Sequence, residues 1–178
     1  TPTVKDVELF EVAQKRHRTM CIEGAVSIEN VLDMVDWLPK VGYNGYYIQF
    51  EDAYTFFDRW YNHLRSTVKE AEHMDHDMAR EFVDRIEKAV KARGLILMRM
   101  GHGWTCNPFG VVTSGWYTLK PEEIPQEYKN VCALVNGKRE VWLNQPLSTQ
   151  LCYSNEHVKK TMVDAVVNYA KEHPQTDV

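Results

Sequence analysis

The stretch LILMRMGHGWTCNPFG, Leu95 to Gly110, changes character halfway along its length. Residues 95–100 are apolar or long-stemmed, and such a run is typical of a buried strand. The chain then places His102 and Trp104 directly behind that strand, each preceded by a glycine. Ligands of parallel α/β folds collect at the carboxyl ends of the strands. We therefore expect this stretch to form a buried strand that ends at a binding edge.

Segments with strand character and segments with helical periodicity alternate along the chain. Ser27 is placed to cap the first helical segment, and Asn155 is placed to cap the last one. The polar, aromatic segment after the second strand and the long connection at about 101–146 are predicted as loops. The predicted strands cover residues 19–25, 46–50, 95–100 and 148–154, and the predicted helices cover residues 28–38, 77–93 and 156–172.

This alternation predicts βαβ units and an α/β fold with a parallel sheet. A complete (β/α)₈ barrel takes about 250 residues, more than the 178 of this chain. We expect a partial, half TIM-type barrel of about four strands with helices outside, or else a smaller open α/β domain. Residues 1–178 are expected to form a single domain that is a fragment of a larger barrel. The final residues, KEHPQTDV, carry the helix-stop and turn residues that introduce another strand.

Composition and charge narrow the classes of partner. The formal net charge is −4 and the isoelectric point is about 6.0, without a basic stripe, so we expect no nucleic-acid partner. No apolar run approaches the roughly 18 residues of a membrane span, so we expect no membrane partner. The four cysteines lack C-x-x-C spacing, which favours reduced thiols and a cytoplasmic location. Residue 1 is Thr, so a secreted protein with a processed N-terminus is an open alternative.

Three residues are candidates for catalysis because each lies at or near the end of a predicted strand. Glu23 lies near the end of the first strand and Glu51 directly follows the second. Such carboxylates can act as general acid, base or nucleophile, and His102 can shuttle a proton. The carboxylates can equally form ion pairs with arginines such as Arg99.

Aromatic and amide side chains near the same edge are candidates for ligand binding. Aromatic rings stack on the apolar face of a sugar, and loops this aromatic cover a core, line a carbohydrate cleft or make an interface. Asn155 is also explained as a helix N-cap. The candidate substrate-binding residues are Trp104, Tyr153, Gln49, Asn155, Tyr54 and Trp60.

No metal or cofactor is expected. His73 and His76 are three residues apart with acidic neighbours, but their polar segment precedes a helix and favours a solvated helix start. The sequence contains no H-E-x-x-H, Walker A, G-x-G-x-x-G or G-x-S-x-G motif.

Four segments in order carry a resemblance to a known family: CIEGAVSIENVLDMVDWLPKVGYNGYYIQF, GHGWTCNPFG, ALVNGKRE and LCYSNEHV. Together they resemble the bacterial domain of unknown function 4838, which is similar to (β/α)₈ glycoside hydrolases. The resemblance runs from about Met20 to Val178 and matches the family at 101–104 and 152–155. The chain continues directly from Asn155 to Glu156 where the family has a proline, and it lacks the family's fifth strand.

The resemblance implies a carbohydrate-active, glycoside-hydrolase-like domain that binds an oligosaccharide or glycan at the carboxyl ends of parallel strands. A glycosidase needs two carboxyl groups facing each other across the scissile bond, so we expect the isolated chain to be catalytically incomplete. Exposed half-barrel edges favour a homodimer. Two alternatives stay open: a self-contained open α/β enzyme that uses a His/carboxylate acid–base pair, and a non-enzymatic glycan- or protein-binding assembly domain.

Overall fold

The fold is built on a sheet of three parallel strands. The computed structural model describes residues 8–22, 24, 26–113 and 115–178, and of Met100 it describes the backbone alone. The strands are β1, Thr19–Cys21, then β2, Gly45–Phe50, and β3, Ile96–His102, and they lie in the order β1-β2-β3. The prediction of an α/β fold with parallel strands is confirmed. No closed barrel is present within the ranges given above.

Helix α1, Ile28–Trp37, connects β1 to β2 and begins where its sequence predicts. The side chain of Ser27 accepts a hydrogen bond from the Asn30 N–H at 3.2 Å, which satisfies one of the free donors of the first turn. A 3₁₀ turn, Leu38–Val41, follows with Pro39 at its start. The chain then turns at Gly42, whose φ of 83° suits a residue without a side chain.

A second helix, α2, Tyr54–Tyr61, replaces the loop predicted after β2. Phe56 and Phe57 are adjacent in sequence, yet both are buried, and Phe57 meets Phe82 edge to face at 5.2 Å between ring centroids. Eight residues give little more than two helical turns, too few for a clear 3.6-residue period. The loop prediction was wrong because tertiary burial of these rings, rather than a repeating pattern, stabilises the helix.

Helix α3, His76–Ala92, covers the sheet together with α1. Asp75 caps it by accepting from the Met78 N–H at 2.8 Å. The helix begins at His76, one residue before the predicted start at Asp77. The helix buries Phe82, Ile86 and Val90 in the core with Leu97 of β3. Each such side chain stabilises the fold by about 1.5–3 kcal/mol through the area it removes from water.

The end of β3 contains an irregularity that depends on glycine. Ile48 pairs with Arg99 and Phe50 with His102, so β3 has one more residue than β2 over this interval. Gly101 has a φ of 107°, and a Cβ there would lie 2.3 Å from the carbonyl oxygen of Gln49. The first glycine of the G-H-G motif is therefore required by the close approach of two strands.

The fourth predicted strand does not join the sheet. Residues 148–154 form only an isolated antiparallel bridge between Leu151 and Cys132. This segment packs on a second core cluster instead, where Leu151, Tyr128 and Val158 are buried together. The prediction of a parallel strand here was wrong because its apolar residues have a second core to fill.

The connection between β3 and the last helix builds that second core. It contains helix α4, Gln126–Val131, and a small antiparallel hairpin of β4, Leu134–Val135, and β5, Lys138–Arg139. Cys106 and Cys132 are both fully buried in this cluster, as a small apolar side chain would be. The prediction of a loop over this stretch is thus only partly correct.

Helix α5, Glu156–Glu172, is the last helix described. Asn155 caps it as predicted by accepting from the His157 N–H at 2.9 Å. Val158 faces the second core, but Val163, Val166 and Val167 are exposed on the outer side of the helix. No helix of the described ranges is both long and apolar enough to cross a membrane.

The residues after α5 return to the open edge of β3. The Val178 N–H donates to the Leu97 carbonyl at 3.2 Å, and the Val178 carbonyl accepts from the Arg99 N–H at 2.8 Å. Asp177 accepts from the Leu97 N–H at 2.8 Å through its side chain. A residue that bonds to positions i−1 and i+1 of its neighbour has the pattern of a parallel ladder. One of the sheet edges predicted to be exposed is therefore partly paired within the chain.

Candidate functional site

The carboxyl ends of β2 and β3 lie side by side. The Glu51 N–H donates to the His102 carbonyl at 2.9 Å, so the residues that leave the two strands start from adjacent points. Their side chains nevertheless enter different surroundings. Gln49 and His102 form one group, and Glu51 belongs to another.

The first group lies on the sheet face that points away from the helices. Gln49 alternates with Ile48 and Phe50, which are buried in the core, so its side chain has the opposite direction. The Cys21 thiol donates to Gln49 Oε1 at 3.4 Å, and Gln49 Nε2 lies 3.0 Å from His102 Nε2. Because an amide nitrogen can only donate, His102 Nε2 is the acceptor in this contact.

Aromatic contacts fix the His102 ring. It lies 5.0 Å from the Phe50 ring and 4.9 Å from the Trp116 ring, centroid to centroid. Trp116 is itself covered by the guanidinium of Arg59 at 4.7 Å, a cation–π contact. His102 is thus held on two sides by rings while Gln49 binds its Nε2 atom.

Glu51 is the centre of the second group. Its carboxylate accepts from Asn107 Nδ2 at 2.7 Å, and the side chain is half-buried. Burial raises the pKa of Glu51, while the Asn107 hydrogen bond and the charge of Arg99 offset part of that rise. A Cβ at Gly103 would lie 3.0 Å from Glu51 Oε2, so the second glycine of the G-H-G motif makes room for this carboxylate.

A cavity of about 450 Å³ opens beside Glu51, between α3, α5 and the ends of β2 and β3. This volume lies within the range of small-molecule sites, roughly 300–1,000 Å³. Its lining contains both hydrogen-bond donors and acceptors. Six of its polar residues are Glu51, Asp52, Glu87, Arg99, Asn107 and Tyr169, and it also includes Arg80, Asp84, Glu172 and His173.

Arg99 forms the floor of this cavity, and its side chain is only 6% exposed. Its Nε donates to the Tyr169 hydroxyl at 2.9 Å, and its Nη2 donates to the Glu51 carbonyl at 3.2 Å. Glu87 lies 3.8 Å from Nε. The sequence predicts Arg99 only as an ion-pair partner of a carboxylate. The missed signal is a charged residue inside an otherwise apolar strand, which demands buried partners.

Two of the predicted binding residues contact residues that line the cavity but are not part of the lining themselves. Trp104 meets Tyr169 edge to face at 5.1 Å. Tyr54 donates its backbone N–H to Asp52 at 2.9 Å and stacks on His76 at 4.3 Å. Each of the two therefore contacts a residue that lines the cavity, Tyr169 in one case and Asp52 in the other.

The remaining predicted residues lie elsewhere. Trp60 is at the end of α2, against His63 at 6.3 Å, and is largely exposed. Tyr153 is exposed and donates to Gln150, since its segment does not join the sheet. Asn155 is the N-cap of α5, which confirms the alternative explanation of this residue as a helix cap. Glu23 lies outside the described residues.

The histidines before α3 have separate acidic partners. His73 lies 2.9 Å from Asp75, which caps the helix, and His76 lies 2.8 Å from Asp52. Both contacts are at a solvated helix start, as the sequence favours. Over the described ranges, no group of three or more His, Cys, Asp or Glu is arranged to hold a metal ion.

No family model, no curated protein and no solved structure matches the chain. The resemblance to the domain of unknown function 4838 therefore stays a prediction.

Proposed function

We propose that this chain is a carbohydrate-active, glycoside-hydrolase-like domain that binds a saccharide in the cavity beside Glu51 and is catalytically incomplete by itself. The fold proposed with it is a half TIM-type barrel of about four parallel strands with helices outside. Three parallel strands and the parallel pairing of Val178 with β3 support this proposal. The observation that carries the function is the half-buried Glu51–Asn107 pair in the lining of the cavity.

A sugar fits the chemistry of the cavity because a hydroxyl group both donates and accepts hydrogen bonds. Glu51 and Asp52 offer acceptor oxygens, while Asn107 and Arg99 offer donors. Sites of this kind fix orientation through a few convergent polar groups. The half-buried Tyr169 adds an aromatic surface of the kind on which sugar C–H faces pack.

Binding without hydrolysis is proposed because the buried carboxyl group of α3 is already engaged. Glu87 accepts from Gln175 at 2.9 Å and lies close to Arg99. A glycosidase needs two carboxyl groups free to act on the same bond. The alternative of a His102 acid–base pair is disfavoured, because Gln49 binds His102 Nε2 and two aromatic rings hold the imidazole.

The test is a titration of the folded chain with neutral methyl glycosides of common hexoses and pentoses, followed by two-dimensional NMR. We expect shifts at the Asn107 side-chain amide and the Trp104 indole. Glu51→Gln keeps an acceptor for Asn107 but removes the carboxylate, and it should weaken binding about tenfold, about 1.4 kcal/mol.

The matched control is Glu122→Gln, at an exposed position on a 3₁₀ turn, which should leave the affinity unchanged. Hydrolysis of aryl glycosides is measured in parallel, and none is expected. The proposal fails if no glycoside shifts these signals at about 10 mM, ten times a Kd of about 1 mM. It also fails if both variants lose the same affinity.

A further inference from the structure

The cavity beside Glu51 has more acidic than basic groups in its lining. Within the described residues, two guanidinium groups line it, those of Arg80 and Arg99. Both are already balanced, since Arg80 is paired with Asp77 outside the lining and Arg99 faces Glu87 at 3.8 Å. Five carboxylates line the same cavity: Glu51, Asp52, Asp84, Glu87 and Glu172. The lining therefore produces a negative potential that attracts positive charge and repels anions.

Three of these five carboxylates have partners inside the protein. The contacts of Glu51 and Glu87 are described above, and Asp52 lies 2.8 Å from His76 Nδ1. The other two are Asp84 of α3 and Glu172 of α5. Neither side chain forms a hydrogen bond or an ion pair with any residue that the structure describes. Their oxygens are therefore the acceptors that the cavity leaves available to a ligand.

Asp84 and Glu172 lie on the two helices that border the cavity, and both are exposed to solvent. A ligand can therefore reach them without movement of the protein. His173 also lines the cavity, and even with its ring protonated the carboxylates remain in excess. Arg99 Nη1 is buried too deeply to contact a ligand. An anion entering the cavity would thus meet repulsion that a cation would not.

An organic cation suits this lining better than a metal ion does. Ca²⁺ and Mg²⁺ need at least six ligands at close range. No three His, Cys, Asp or Glu of the described ranges are placed to hold a metal ion together. An ammonium group has three donors and is bound by one or two carboxylates. The volume of about 450 Å³ leaves room for a sugar ring that carries it.

We propose that Asp84 and Glu172 form a subsite for an ammonium group of the ligand, so that the cavity prefers a cationic amino sugar to a neutral sugar and a neutral sugar to a uronate. This inference rests on the proposed function and narrows its ligand class. Neither residue is assigned a catalytic role, since both act by binding. Glu51 and Asn107 keep the role of contacting the hydroxyl groups of the sugar.

The test compares three probes that differ at one carbon: methyl glucoside, its analogue with an amine in place of the primary hydroxyl, and methyl glucuronide. The amine is protonated at neutral pH, as a lysine side chain is, and the glucuronide carboxyl is ionised. The methyl glycoside of glucosamine is a second cationic probe with its amine elsewhere on the ring. At low ionic strength, at least one amine should bind about tenfold more tightly than methyl glucoside. The glucuronide should bind least tightly, and added salt should reduce both differences.

The variants are Asp84→Asn, Glu172→Gln and the two combined. Each single change should lower the ratio of amine affinity to neutral affinity about threefold, and the double change should abolish the preference. The matched control is Glu81→Gln, which removes the same charge from an exposed position of α3 that does not line the cavity. It should leave the ratio unchanged. All the substituted positions are exposed, and circular dichroism checks that each variant is folded.

The outcomes separate this inference from the proposed function. If methyl glucoside binds and responds to Glu51→Gln, but neither amine binds more tightly, the ammonium subsite is wrong and the saccharide site stands. Tighter binding of the glucuronide than of methyl glucoside also overturns the inference. So does an equal loss of preference in Glu81→Gln and Asp84→Asn, because the effect would then come from net charge alone. If no glycoside binds the folded wild-type chain, both proposals fail.

Discussion

Replacing Gly101 with alanine is expected to cost more stability than replacing a glycine that has similar backbone geometry but open surroundings. The new Cβ would lie 2.3 Å from the Gln49 carbonyl oxygen and 2.9 Å from Gln49 Cγ. The oxygen belongs to β2, which has strands on both sides, so it cannot move aside. The φ of 107° adds strain for any residue with a side chain.

The expected magnitude is the sum of two contributions. Holding a non-glycine residue in a sparsely populated backbone region costs about 1–3 kcal/mol. Forcing an extra carbon into a filled space typically costs about 1–3 kcal/mol more. The free energy of unfolding should therefore fall by about 2–6 kcal/mol, a large share of the roughly 5–15 kcal/mol of a typical domain.

Gly24 and Gly103 separate these contributions. Gly24 has a φ of 119°, and no atom of the described residues beyond its chain neighbours lies within 4 Å of an added Cβ, so Gly24→Ala reports the backbone strain alone. At Gly103 the Cβ would meet Glu51 Oε2 at 3.0 Å and Asn107 Nδ2 at 3.1 Å. These are ends of side chains that can shift, so Gly103→Ala should have an intermediate cost and should also weaken sugar binding.

The assay is urea unfolding followed by circular dichroism, with m-values compared to confirm that the same surface is exposed. The expected order of destabilisation is Gly101→Ala, then Gly103→Ala, then Gly24→Ala. Equal losses for Gly101→Ala and Gly24→Ala would refute the reasoning, because the close approach to Gln49 would then contribute nothing.

Three further predictions concern the charge pair, Glu51 and a helix cap. Glu87→Gln should lower the free energy of unfolding by about 3–5 kcal/mol, because Arg99 stays buried without its counter-charge. Urea unfolding measures this change. A loss below about 1 kcal/mol would show that the pair is not stabilising. The pKa of Glu51 is raised in the fold, so the native state holds the proton to a higher pH than the unfolded chain. The contribution of Glu51 to the free energy of unfolding should therefore fall as the pH rises from 4.5, the ordinary pKa of this carboxyl group, through its raised pKa in the fold. Glu51→Gln should remove that slope, and Asn107→Ala should raise the pKa of Glu51 further in an NMR titration; a downward shift would contradict the assigned causes. Ser27→Ala should cost about 0.5–2 kcal/mol by thermal or urea unfolding, and an unchanged midpoint would mean that the Ser27 hydrogen bond to Asn30 is not formed in solution.

The helices and central strands could be predicted where local signals agree. Ser27 and Asn155 are good caps by their chemistry alone, and both cap the helices expected of them. β2 and β3 follow from short runs of apolar and aromatic residues. α2 could not be predicted, because its burial depends on Phe57 meeting Phe82 from a distant part of the chain.

The candidate site could be predicted only in part. The position of Glu51 after β2 marks it as a candidate site residue without any coordinates. Its separation from the His102 side chain is not visible in sequence, because the extra residue at the end of β3 changes the direction in which His102 points. Tyr153 was misplaced together with its strand, since residues 148–154 pack on the second core instead of the sheet.

The sequence by itself determined the alternation of strands and helices and the helix caps, because each depends on neighbours within a few residues. The need for Gly101 comes from the tertiary structure, since it depends on the approach of Gln49 in β2. Only the tertiary structure decided that Arg99 lies under Glu51, that Tyr169 reaches it from α5, and that Val178 pairs with β3. These contacts join residues that are far apart along the chain. Their formation depends on how whole elements pack, which no local pattern of residues encodes.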